Sequence, residues 1–166
     1  MKKMISKSLV FFFIVIISTA CSTSGKSINV TDEMNSVISE FILDYNKDKY
    51  YETEKQFEAH KVYGAKEIDG IVEVYIYSLY MGFNRVTKDE EQSGGSFPVL
   101  IKLKNKNDTY SVIEYKEPEN GDMYTDSIKE MFPKKYANKA IKDTRSVNKL
   151  EKKIKEKVDL WLEEPN

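Results

Sequence analysis

The chain has 166 residues, with 26 basic and 27 acidic side chains and a formal net charge of −1. Near-neutral charge excludes recruitment to nucleic acid by electrostatics, and a single cysteine excludes an intramolecular disulfide. The length suits one domain built on one hydrophobic core.

Lys2, Lys3 and Lys7 precede an unbroken apolar run of nine residues, Leu9 to Ile17, and Ser18, Thr19 and Ala20 then lead into Cys21. Positive charge, apolar core and small residues in that order make residues 1–20 a predicted export signal. Nine helical residues cover about 14 Å against about 30 Å of bilayer hydrocarbon, too little for a permanent span. The cysteine after Ala20 resembles a bacterial lipobox, in which that cysteine is acylated and becomes the new N-terminus. A lipobox usually carries an aliphatic residue where this chain has Ser18. Acylation gives the lone thiol a role in an exported protein. Two or more acyl chains anchor stably, at ~0.8 kcal/mol per buried methylene. The expected address is the outer face of the cytoplasmic membrane. Cleavage before Cys21 removes three lysines and no acid, leaving 23 basic and 27 acidic side chains, a net charge of −4. Neither nucleic acid nor an anionic polymer would attract that chain globally.

Residues 21–30 are small and polar and read as a tether, followed by a single domain over 31–166. Gly25-Lys26-Ser27 ends a loose phosphate-loop pattern, but no strand precedes it, so no nucleotide is expected. Thr31 is a predicted N-cap with Asp32 and Glu33 in the first turn, and Met34, Val37, Ile38, Phe41 and Tyr45 line one face of a helix ending near Lys47. From Phe57 the apolar period becomes two. Asp69-Gly70 supplies the positive φ angles of a tight hairpin turn. Pairing outward from it sets Lys66 opposite Glu73, Ala65 opposite Val74, Tyr63 opposite Ile76 and Ala59 opposite Tyr80. One face then holds Ala59, Tyr63, Ala65, Val74, Ile76 and Tyr80, and the other His60, Val62, Lys66, Glu73, Tyr75 and Tyr77. Gly82 to Phe97, with its charged run and Ser93-Gly94-Gly95-Ser96, reads as a long loop of the kind that carries binding sites. Val99, Ile101 and Leu103 mark a third strand, and Thr109 to Lys116 a fourth. Two short helices follow, over 125–131 and 133–141. Ser146 is the expected cap of a last helix with Val147, Leu150, Ile154, Val158 and Trp161 on one stripe. The fold class is α+β: an N-terminal helix, a four-stranded antiparallel sheet, and C-terminal helices packed on one face.

The residues that metal and acyl-transfer chemistry require are missing from the pattern. The chain has one histidine, His60, placed mid-strand, and its one cysteine is at the anchor. No catalytic residue, cofactor or metal ligand is nominated, and a non-enzyme is expected. Eleven tyrosines are the compositional oddity. Tyr75 and Tyr77 on the second sheet face, with Ser93, Gly94, Gly95 and Phe97 of the loop, form the candidate contact surface, since exposed aromatics offer rigid area with a polar tip.

Four phrases carry a resemblance: Phe57 to Gly64, Ser78-Leu79-Tyr80, Glu91 to Pro98, and Met131 to Ala137. They resemble small lipoproteins of Gram-positive bacteria whose role is uncharacterised. They are also similar to an extracytoplasmic domain that lies C-terminal to some membrane metallopeptidases of the beta-lactam-sensor type. The likeness spans roughly residues 50–163 and lacks the peptidase's zinc motif. It implies an accessory or sensing module on the outer surface. The expected partners are the membrane, through the lipid on Cys21, and another membrane or envelope protein. Two other classes compete with that reading: a peptidoglycan-acting enzyme of the envelope, and an inhibitor or exclusion factor acting on a membrane protein. Cys21→Ala should move the protein from the detergent phase to the medium in a phase-partition assay. Retention of the variant in the membrane would refute the anchor.

Overall fold

The computed structural model describes residues 25–107, 109–143 and 146–165. The predicted export signal and Cys21 lie outside them. The centre of the fold is a long antiparallel hairpin, β2 (Lys55–Ile68) and β3 (Ile71–Phe83), turned at Asp69 and Gly70 with φ of 50° and 77°. Both values are positive, as the Asp-Gly pair requires. A short β1 (Lys26–Ile28) flanks β2, while β4 (Ser93–Lys106) and β5 (Thr109–Lys116) follow β3, so the sheet is a meander in the order β1-β2-β3-β4-β5. The sheet thus has five strands where four were expected. The extra strand comes from the segment read as tether: Lys26, Ser27 and Ile28 pair with Glu67, Lys66 and Ala65. Three residues of strand are too few to show period two against a polar background.

Helix α1 (Asp32–Asn46) crosses one face of the sheet, with Thr31 accepting from the Met34 N–H at 3.2 Å as its N-cap. Its Met34, Ile38 and Ile42 pack on Ala65, Val72, Val74, Ile76, Val99, Ile101 and Leu103. The opposite face is covered by α2 (Tyr124–Met131), α3 (Lys134–Lys142) and α4 (Ser146–Glu163). Leu150, Ile154, Val158 and Trp161 of α4 pack on Phe57, Ala59, Leu79 and Phe83. Ile128, Met131, Phe132, Ala137 and Ala140 pack on Tyr63, Tyr75 and Leu100. Both faces of the sheet are therefore cores, which explains why β3 reads as an almost continuous apolar run.

The hairpin register departs from strict outward pairing. Lys66↔Glu73 and Ala65↔Val74 hold, but the register shifts between Val62 and Gly64, so that Val62 faces Ile76 and Ala59 faces Leu79. Tyr63 is the extra residue of a β-bulge. It moves Ala59 to the α4 face and sends Glu58, His60 and Val62 to the α1 face, the reverse of the expected assignment. At Gly64 the Tyr136 ring lies where a Cβ would stand.

The expected loop from Gly82 to Phe97 also contracts. β3 runs to Phe83 and β4 starts at Ser93, with Gly94 opposite Met81 and Gly95 opposite Tyr80. Gly95 is glycine because the Tyr50 ring crosses it to stack on Tyr80 at 5.3 Å between centroids. What remains is residues 84–92, with a 3-10 turn at Arg85–Thr87.

The start of α4 is held to β2 by one carboxylate. Asp143 accepts from the Ser146 backbone N–H at 3.1 Å, from Ser146 Oγ at 2.6 Å, from Tyr63 OH at 3.1 Å and from Lys61 Nζ. Asp143, not Ser146, is thus the side chain that satisfies the helix N-terminus. Burial alone would raise its carboxyl, but the bonds from Lys61, Ser146 and Tyr63 outweigh burial and hold it down to about 2. A depressed carboxylate stabilises the fold above its unfolded value and loses that contribution as pH falls through the folded one. Stability should therefore drop between about pH 4 and pH 2, and Asp143→Asn should flatten that part of a urea-midpoint profile against pH. An unchanged slope in the variant would show that Asp143 is not the group responsible.

Candidate functional site

At the end of the sheet remote from the Asp69-Gly70 turn, residues 84–92 fold over α4 and enclose a cleft. Its floor is apolar: Met81 and Phe83 from β3, Ile154 and Val158 from α4. Its rim is polar, made of Asp89, Asn148, Glu151, Lys152 and Lys155, and its volume is about 340 Å³. Two side chains of the loop, Asp89 and Arg85, pin it to α4 and the residue that follows it. Asp89 meets Lys155 Nζ at 2.7 Å, and the Arg85 guanidinium lies 4.8 Å from the Trp161 ring centre and donates to the Glu164 carbonyl at 3.0 Å. Hydrogen bonding to Lys155 lowers Asp89, and the same bond raises Lys155. Partial burial raises Glu91, and the nearby Glu151 carboxylate raises it further. Unlike Asp89, neither of these acids has a cation within salt-bridge distance among the described residues. The same end of the sheet presents Tyr51 and Val86, 86% and 85% exposed. Tyr51 is joined to β4 by Ser93 Oγ, which donates to its carbonyl at 3.1 Å, and Asn84 Oδ1 accepts from the Glu54 N–H at 2.9 Å.

A second concavity, of about 410 Å³, lies between α1 and α4 and holds a buried polar network. Glu58 is 3% exposed. One of its carboxylate oxygens accepts from Ser39 Oγ, the other is 3.2 Å from His60 Nδ1, and His60 Nε2 is 3.0 Å from Asn35 Oδ1. Asn35 and Ser39 sit at i and i+4 on α1, and Glu58 and His60 at i and i+2 on β2, so each pair shares a face of its element. Sequence reading missed this network, because the bulge that turns Glu58 and His60 toward α1 lies beyond them in the chain. The order of the groups matters chemically. The carboxylate stands between hydroxyl and imidazole, whereas acyl transfer of the triad type needs the imidazole against the hydroxyl.

The expected contact surface does not assemble. Tyr75 is 1% exposed beneath α2 and α3, with its OH bonded to Glu73 at 2.6 Å, so it has no area left to offer a ligand. Tyr77 is half-buried between the α3 and α4 clusters, 3.1 Å from Ser96 Oγ. Phe97 packs on the α1 side, and Gly95 lies under Tyr50. Ser93 and Gly94 pair with the end of β3. The helices that bury the tyrosines come from the last third of the chain, and composition alone does not reveal which sheet face they cover. Burial also raises Tyr63, Tyr75 and Tyr115 above the ordinary phenol value, each with a neighbouring carboxylate adding to the effect.

Comparison with family models, with curated proteins and with solved structures gave no match for this chain.

Proposed function

We propose that the protein is a lipid-anchored binding or regulatory module on the outer face of a Gram-positive cytoplasmic membrane. In this reading it is not an enzyme, and its contact surface is the end of the sheet formed by residues 84–92, Tyr51 and the start of β4. The carrying observation is the combination at that end of an apolar-floored cleft with the two most exposed large apolar side chains among the described residues. Exposed apolar side chains at the same end of the sheet as a concavity suit a partner that covers that end and inserts a side chain. The reading replaces the buried tyrosines with Val86, Tyr51 and the cleft. It keeps another membrane or envelope protein as the partner and Cys21 as the anchor.

A second reading, a peptidoglycan-acting enzyme, draws on Glu91, the one carboxyl beside the cleft that is pushed up rather than down. A general acid has this property, although Glu91 lies largely on the surface and lacks a rigid partner.

Photo-crosslinking in cells from Val86 and from Tyr51 separates these readings. A binding module should give a discrete protein adduct from one or both positions, unaffected by Glu91→Gln. Absence of any protein adduct from both positions, with a Glu91→Gln variant that abolishes function in the same cells, would overturn the proposal in favour of the enzyme.

A further inference from the structure

β1 covers only Ala65, Lys66 and Glu67 of β2, because the chain leaves the sheet after Ile28 to begin α1. From Lys55 to Tyr63, β2 has β3 on one side and, among the described residues, no strand on the other. In an antiparallel pair the backbone groups of alternate residues point to opposite sides. The Gly82 carbonyl accepts from Gln92 N on the β4 side at 2.9 Å, so Gly82, Tyr80 and Ser78 direct their backbone groups to β4. Their partners Glu58 and His60 must then direct theirs outward. The Glu58 carbonyl confirms this, since it accepts at 2.7 Å from Lys157 Nζ, which reaches round the edge from α4.

This open edge is the floor of the concavity between α1 and α4. Asn35 and Ser39 stand on one wall, Lys153 and Lys157 on the other, with Glu58, His60 and Val62 between. A neighbouring hollow of about 340 Å³ shares Val62 and adds Lys61, Lys139 and Lys142. The edge is therefore flanked by five lysines. The two acids beside them are already engaged, Glu58 by Ser39 and His60 and Asp143 by Lys61, Ser146 and Tyr63. The side chains of Lys139, Lys142 and Lys153 have neither an ion pair nor a hydrogen bond among the described residues.

We propose that the outer edge of β2 from Glu58 to Val62 docks an extended peptide segment, rich in carboxylate side chains, from a partner protein, as an added strand. Outward backbone groups recur every second residue, about 6.8 Å apart, a spacing that a peptide backbone matches and a sugar–phosphate polymer does not. Lysine over an edge carbonyl also blocks indiscriminate strand pairing. Here it makes docking selective: a carboxylate on the incoming strand draws the Lys157 ammonium off the Glu58 carbonyl, and a backbone N–H takes its place. The site is separate from the cleft at residues 84–92 and does not depend on that cleft being occupied.

The test uses the full chain in detergent micelles and a fluorescein-labelled nonapeptide of alternating valine and glutamate, read by anisotropy. Binding should be saturable. It should weaken about fivefold or more in a Lys142→Glu, Lys153→Glu double variant, since each exposed charge contact adds modestly to affinity and reversal adds repulsion. Val62→Pro removes an outward N–H from the edge and should weaken it as well, and a peptide with proline at alternate positions should not compete. The double variant lies on the surface, so it remains informative if Val62→Pro fails to fold. No binding of the acidic peptide, equal binding by the double variant, or competition by a poly(glycerol phosphate) as effective as by the unlabelled peptide would overturn the proposal.

Discussion

One additional residue in β2 controls how this fold distributes its side chains. Without the bulge at Tyr63, the alternation set by the Asp69-Gly70 turn would continue down the hairpin and place Ala59 under α1. With it, the two halves of β2 obey opposite face assignments. The half near the turn gives Ala65 to the α1 core, and the far half gives Phe57 and Ala59 to Trp161, Ile154 and Leu150 of α4. The same shift places Glu58 and His60 against α1, where Asn35 and Ser39 satisfy them. A buried carboxylate on the apolar α4 face would have lacked those partners, at a cost of several kcal/mol. Tyr63 itself, displaced by the bulge, reaches Asp143 and helps seat α4.

The second constraint is the brevity of β1. A sheet covered by helices on both faces still has two edges, and three residues of β1 protect only the part of β2 near the turn. The far part is protected by Lys157 and by the walls that α1 and α4 raise on either side. Remote from the turn, then, the fold presents two different surfaces. One is an apolar-floored cleft beneath residues 84–92, and the other is a cationic channel whose floor is strand backbone. No tyrosine lines the cleft or the concavity between α1 and α4, and Tyr63, Tyr75 and Tyr80 are buried.

Much of the architecture was legible in the chain. The N-cap at Thr31, the turn at Asp69-Gly70, the span of β5 and the buried stripe Leu150, Ile154, Val158 and Trp161 follow from cap chemistry and period alone. These signals are local. The misreadings concern residues whose neighbours are remote in sequence. Gly94 and Gly95 look like a flexible loop until Tyr50, more than forty positions earlier, is found lying across the strand. Tyr75 looks like an exposed aromatic until Phe132 and Tyr136 cover it, at ring distances of 5.2 Å each. The network around Glu58 needed the bulge, and no residue in β2 announces a bulge, since Tyr63 is itself a good strand former. Gly64, over which the Tyr136 ring lies, was the nearest available sign of irregularity.

Amide hydrogen exchange along β2, resolved residue by residue by NMR, tests the register and the open edge together. The account predicts alternation on the far half of the strand: Phe57, Ala59 and Lys61 protected by bonds to β3, with Glu58, His60 and Val62 exchanging orders of magnitude faster from the groove side. Uniform protection from Phe57 to Val62 would contradict the unpaired edge, and protection at Glu58 and His60 with fast exchange at Ala59 and Lys61 would contradict the bulge at Tyr63.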